Sequence, residues 1–344
     1  MDVRVTRTPI SCFCLALIAC INIAQAIAAN DDFPQSGRIE RLDPRFDQLV
    51  PKDAQLEKIA DGFAWVEGPV WSKTGGYLLF TDIPNNSVFK WQPGAGITLF
   101  MKPSGFTGAA PFTGPEPGAN GLAFDRQGRL TLAEHGDRRI ARLESDGHKT
   151  TLVDRYQGKR INSPNDLVYK SDGSLYFTDP PFGLPKSFDD PGKELPFQGV
   201  YRLAKNGELT LPIRNIKAPN GIAFSPDEKI LYVSNAERDH AVWYAYAVKA
   251  NGTLGDRREL FDATEFAKTR KGVPDGMIVD RKGNLFAAGP GGVYVIAPDG
   301  VLLGRIELGV ATANCAWGED GSVLYIVAST AVYRIRTLTR GANF

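Results

Sequence analysis

Short apolar and aromatic runs alternate with polar turns along almost the whole chain, and one such alternation recurs six times. A polar turn carrying Gly or Asp leads into an apolar run at 77–82, 129–134, 174–179, 230–235, 284–288 and 323–328. Ahead of each lies a shorter apolar stretch, at 68–71, 121–124, 167–169, 221–224, 276–279 and 315–317. A third run follows, as at 87–91 and 199–203, and several units continue into a fourth, as at 149–153. Short strands bounded by Gly, Asp and Asn turns predict an all-β chain. No stretch sustains helical spacing with caps. Four strands per unit at a period of about 50 residues predict a six-bladed β-propeller with four-stranded antiparallel blades. A two-sheet sandwich also uses many short strands, but six similar units argue against it. The strand-like segments 56–60 and 331–335 predict closure of the ring, because pairing them in one blade removes two free edges.

The N-terminus reads differently. Arg4 and Arg7 precede an apolar run over 10–19, and small residues follow at 24–28. That is the layout of a secretory signal cleaved between Ala26 and Asn30, which implies a periplasmic or secreted protein. Residues 17–20 also resemble a lipobox that would place a lipid on Cys20. The apolar run is shorter than the ~20 residues a membrane-spanning helix needs. The expected organisation is a signal peptide over 1–29, a less ordered lead over 30–49 and one propeller over 50–344. The chain carries 40 Lys and Arg against 39 Asp and Glu; removing the address takes Arg4, Arg7 and Asp2 with it and leaves 38 of each sign. A neutral body argues against nucleic acid or an anionic membrane as partner. Cys12, Cys14 and Cys20 lie in the address, so Cys315 is the only thiol of the body. No internal disulfide is possible there, and a large core must supply stability.

In a propeller the innermost strand of each blade lines the central channel, and the residue just before it sits at one mouth. Those residues are Glu67, Asn120, Asn165 with Asp166, Asn220, Asp275 and Asn314. Asn-Gly and Asp-Gly are also tight-turn dipeptides, which is the plain structural explanation for each position taken alone. Glu67 is a poor turn former, however, and Pro stands directly before Asn165, Asn220 and Asp275. Six oxygen-bearing side chains converging on one axis need a cation or waters among them. With no Cys or His in the series, oxygen ligation points to a hard dication, Ca²⁺ first and Mg²⁺ or Mn²⁺ after it, with Zn²⁺ a further possibility. Glu67 and Asp275 would balance its charge and leave positions open for water and substrate. Two stretches break the repeat, at 103–119 and 180–197; loops of this length are binding loops or tolerated surface insertions.

The segments 67–71, 162–167, 177–180, 219–224 and 274–277 resemble, in order, the regucalcin/gluconolactonase family of six-bladed propellers. Residues 133–139 and 158–162 further resemble its bacterial gluconolactonase branch, whereas the stretch around 102–119 departs from the family pattern. The resemblance implies a metal held by Glu67, Asn220 and Asp275, with Asn165 as fourth ligand or substrate contact, and Asp275 as general base. Lactone ring-opening by metal-activated water is the implied reaction. Asn120, Asn165, His135 and Arg160 are candidate contacts for the hydroxyls of a sugar lactone; His135 is equally readable as a structural histidine and Arg160 as a loop anchor. Cys315 reads as a buried small residue, His148 and His240 as surface residues. Hydrolysis of a phosphotriester or fluorophosphate on the same metal, and a calcium- or ligand-binding propeller without turnover, are the alternatives.

Overall fold

The computed structural model describes Met1 and residues 37–344. The signal segment, the Cys20 lipobox and residues 30–36 of the lead lie outside the described residues.

Six antiparallel sheets form six blades, numbered here in chain order. Blade one runs Val66–Ser72, Tyr77–Asp82, Ser87–Gln92 and Gly96–Met101, each strand pairing with the next. Blades two, three and four start at Ala119–Phe124, Leu167–Tyr169 and Pro219–Phe224 and repeat that order. Blade five starts at Met277–Val279 and blade six at Thr312–Gly318. The first strands contact one another in sequence, and the one in blade six contacts the one in blade one, which closes the ring.

The apolar pattern follows from how blades stack. Tyr77–Asp82 and its counterparts Leu130–Glu134, Leu175–Asp179, Leu285–Gly289 and Val323–Ala328 are covered on both faces by neighbouring blades. Strands buried on both faces read as continuous apolar runs instead of alternating ones. The core is accordingly divided into six clusters, one at each interface between blades. Between blades six and one, Trp71 stacks on Tyr325 with ring centroids 5.4 Å apart.

Closure takes the anticipated form. Leu56–Ala60 pairs antiparallel with Ala331–Arg336, Leu56 opposite Ile335, and supplies the outer strand of blade six. The lead contributes a further strand that the sequence pattern did not single out. Arg38–Arg41 pairs with Leu302–Glu307 and gives blade five a fifth strand. Its Glu40 accepts a 2.6 Å hydrogen bond from the buried Arg305, and Phe46, Leu49 and Val50 behind it join the core between blades five and six. Three of its four residues are charged, so it carries little apolar signal for a strand; a cross-strand ion pair, backbone pairing and Ile39 against the core hold it.

Candidate active site

The residues read as turn formers lie at the start of the inner strands, where the pairing shifts register. Shifts fall between Glu67 and Val70, Ala119 and Leu122, Pro219 and Ile222, and Thr312 and Asn314. A β-bulge at these points bends the strand and re-aims the side chain, here around the channel mouth. The glycine that follows serves a second purpose. A methyl group on Gly276 would overlap the Asn314 carboxamide, and one on Gly221 would overlap the Asp275 carbonyl. Gly68 and Gly121 face the backbone of Asn120 and Asn165 in the same way. Each of these glycines lets the ring residue of the next blade approach, so the Asx-Gly pairs record close packing around the axis.

The ring residues then divide by what their oxygens do. Asp166 is spent on structure: its Oδ1 accepts from Leu167 N at 2.8 Å and its Oδ2 from Ile222 N of blade four at 3.3 Å. Asn314 is likewise committed, accepting from Cys315 N at 2.8 Å through Oδ1 and donating through Nδ2 to Glu67 Oε2 at 3.3 Å. Glu67 Oε2 also accepts from Gly68 N at 2.8 Å, and Asp275 Oδ1 from Gly276 N at 3.0 Å. Asn120 Oδ1 and Asn220 Oδ1 are buried and have no hydrogen-bond partner among the described residues. The Asn165 backbone is held by Thr178 and Gly121, while among the described residues its carboxamide makes no hydrogen bond.

The electrostatics are those of a site short of positive charge. Burial pushes the Glu67 carboxyl up to about 8, with the Asp166 charge adding to it. Burial alone raises Asp166 to about 7. Asp275 keeps part of its surface open, yet burial and then the charges of Glu67 and Asp166 hold it well above the carboxylate range. Among the described residues no three His, Cys, Asp or Glu side chains gather at ligating distance. The donors here are instead carboxylates mixed with carboxamides; two buried amide oxygens without a partner and two carboxylates whose charge burial disfavours make a set that suits a hard cation.

The other predicted residues have the following surroundings. His135 is buried just past the second strand of blade two, and neither ring nitrogen makes a hydrogen bond. Arg160 sits on a two-stranded hairpin, Arg155–Tyr156 with Lys159–Arg160, and its guanidinium donates to Asp137 O at 2.7 Å. Cys315 is buried with its thiol on Phe286 O at 3.2 Å, and burial drives its thiol strongly toward the protonated form. It packs as a small apolar residue. One residue escaped the sequence reading altogether: Glu116, in the 103–119 stretch, whose charge contributes to raising both Glu67 and Asp275. Nothing in its Pro- and Gly-rich context marked it, because its place depends on how the loop folds back.

Fold and ring together define a six-bladed β-propeller with carboxylates and carboxamides gathered at one end of its inner strands. The chain belongs to the family described as the SMP-30/Gluconolactonase/LRE-like region, which matches residues 65–330. It is 42% identical over 325 residues to a gluconolactonase of Zymomonas mobilis, covering 92% of this chain and 91% of that one. A solved gluconolactonase from Xanthomonas campestris superposes with a TM-score of 0.78 at 33% identity, covering 90% and 98% of the two chains. Rabbit (Oryctolagus cuniculus) regucalcin is 27% identical over 275 residues, covering 76% of this chain and 82% of that one.

Proposed function

We propose that this protein is an exported, metal-dependent lactonase that opens sugar lactones. The observation that carries the reading is the ring itself: Glu67 and Asp275, both raised, beside the partnerless buried oxygens of Asn120 and Asn220. It occurs in a chain 42% identical to a gluconolactonase. Glu67, Asn165, Asn220 and Asp275 would hold the cation, Ca²⁺ before Zn²⁺, Mg²⁺ or Mn²⁺. When bound, such an ion supplies charge that keeps both carboxylates ionised and stabilises the oxyanion of ester hydrolysis.

The chain's own residues then have distinct tasks. Asp275 Oδ1 is fixed by Gly276 N, which leaves Oδ2 to take a proton from the attacking water. The water oxygen bonds to the lactone carbonyl carbon, the ring C–O bond breaks, and the ring oxygen leaves as a hydroxyl carrying that proton. Asn314 holds Glu67 in place through its 3.3 Å hydrogen bond. Asn120 and Asn165 offer carboxamides to substrate hydroxyls. His135 and Arg160 remain candidate contacts for substrate hydroxyls, Arg160 with one guanidinium nitrogen donating to Asp137 O.

The test is hydrolysis of glucono-1,5-lactone by chelator-treated protein with Ca²⁺, Zn²⁺, Mg²⁺ or Mn²⁺ restored, after subtraction of spontaneous opening. Metal-dependent turnover supports the reading; folded, metal-loaded protein that opens no sugar lactone overturns it. Export is tested by N-terminal sequencing of the mature protein. A start between residues 27 and 30 supports a cleaved signal, and a lipid-blocked Cys20 would mean an anchored form instead.

A further inference from the structure

The two long loops that interrupt the repeat meet at the channel mouth. The first is pinned at its base by Asn86, whose Oδ1 accepts from the backbone of Ser104, Gly105 and Phe106 at 3.0, 2.7 and 3.2 Å. Thr107 binds Asp137 through both its amide and its hydroxyl, at 3.1 and 2.7 Å. Its far end returns through Gly118, whose amide donates to Ile83 O at 3.0 Å, directly into the inner strand that carries Asn120. The second loop lies against it: a methyl on Gly114 would stand 3.3 Å from Pro185 Cα.

Between them the loops enclose His135 and present Glu116. Gly183 of the second loop rests on the His135 ring, close enough that a methyl there would strike Cβ, Cγ and Nδ1. Glu116 Oε2 approaches Nδ1 to 2.9 Å without the alignment of a full hydrogen bond, and 29% of the Glu116 side chain remains exposed. Among the described residues no other hydrogen bond to its carboxylate is present, which leaves an oxygen available to accept. On the ring side, its charge reaches Glu67 and Asp275. A dication is already balanced by those two acids, so a further carboxylate at the rim is not needed for charge. Such a group is an acceptor only, and what it can accept from is a hydroxyl.

We propose that Glu116, presented by the 103–118 loop and braced by His135, is the residue through which this site selects hydroxyl-bearing lactones, by accepting a hydrogen bond from a substrate hydroxyl. This rests on the lactonase reading for its substrate class, but not for its geometry. A lactone without hydroxyls gives Glu116 no donor, and approach of such an apolar ring would strip water from a carboxylate with nothing in return. The rim therefore discriminates by hydrogen bonding while the ring beneath it serves the ester group common to all lactones.

The proposal is tested by calorimetric binding of D-glucono-1,5-lactam, a stable hydroxylated mimic, to Ca²⁺-loaded wild type, Glu116→Gln and Glu116→Ala. Loss of a hydrogen bond to a charged group predicts about ten- to hundredfold weaker binding in Glu116→Ala, with a smaller loss in Glu116→Gln. In turnover, kcat/KM for glucono-1,5-lactone should fall by a similar factor while that for δ-valerolactone holds or rises, because the desolvation cost at Glu116 is removed. Equal lactam binding by wild type and Glu116→Ala, no lactam binding by wild type, or equal loss on both lactones overturns the assignment. If the binding pattern holds but wild type opens neither lactone, the lactonase reading falls and Glu116 stands as a hydroxyl-binding residue of a ligand site.

Discussion

Chelator-treated protein is expected to lose stability as the pH rises from about 5 to about 9. Glu67 is 2% exposed and its carboxyl is pushed up to about 8, against an ordinary value of 4.5. The folded state therefore keeps a proton that the unfolded chain gives up. The sign follows: the advantage is fully present below the unfolded value, declines through the interval and is gone above about 8. At roughly 1.4 kcal/mol per pKa unit, Glu67 alone accounts for on the order of 4–5 kcal/mol. Asp166, raised to about 7, and Asp275, raised by burial and by its neighbours, act in the same direction. For a domain of this size each kcal/mol moves Tm by about 2 °C, so Glu67 alone implies a fall of roughly 10 °C. The lowered carboxylates of Asp43 and Asp47 titrate below this window and leave it unaffected. The assay is thermal unfolding followed by tryptophan fluorescence in a chelator, for wild type and Glu67→Gln. The variant should lose part of the slope, the remainder coming from Asp166 and Asp275, and Ca²⁺ should restore most stability at the alkaline end, where the ligands are deprotonated. A Tm that is flat or rising over the interval, or an unchanged slope in Glu67→Gln, would refute the reasoning.

Three further outcomes follow from the ring. Asp275→Ala should reduce lactone turnover by about 10²- to 10⁴-fold with far-UV circular dichroism unchanged, as removal of a general base requires; retained turnover would remove Asp275 from that role. Asn220→Ala deletes a buried oxygen without a partner, so chelator-treated protein should be no less stable. Its Ca²⁺ affinity, measured by calorimetry, should fall at least tenfold. Gly276→Ala drives a methyl into the Asn314 carboxamide and should cost roughly 1–3 kcal/mol, read as a lower urea midpoint; an unchanged midpoint would mean that Asn314 is free to move aside.

Much of the architecture was legible in the chain because blade stacking imposes a local pattern. A strand covered on both faces must be apolar at successive positions, so each blade left the same mark, and six marks closed by 56–60 defined the ring. The identity of the ring residues was legible for the same reason, since each stands at or just before the start of an inner strand. What the sequence could not rank was their use. Asp166 and Asn314 carry the same chemistry as Asp275 and Asn220, yet their oxygens are consumed by Leu167, Ile222, Cys315 and Glu67. Nor could it distinguish a turn glycine from one that admits the next blade, because that depends on a residue about 40 to 55 positions away. Glu116 is the clearest case. A carboxylate in a Pro- and Gly-rich loop has no periodicity to place it, and only the return of that loop through Gly118, beside His135 and Gly183, brings it to the mouth. Periodic burial is written into neighbouring residues, so the sequence by itself determined the propeller; convergence of distant loops on one point is a property of closure, and only the tertiary structure decided it.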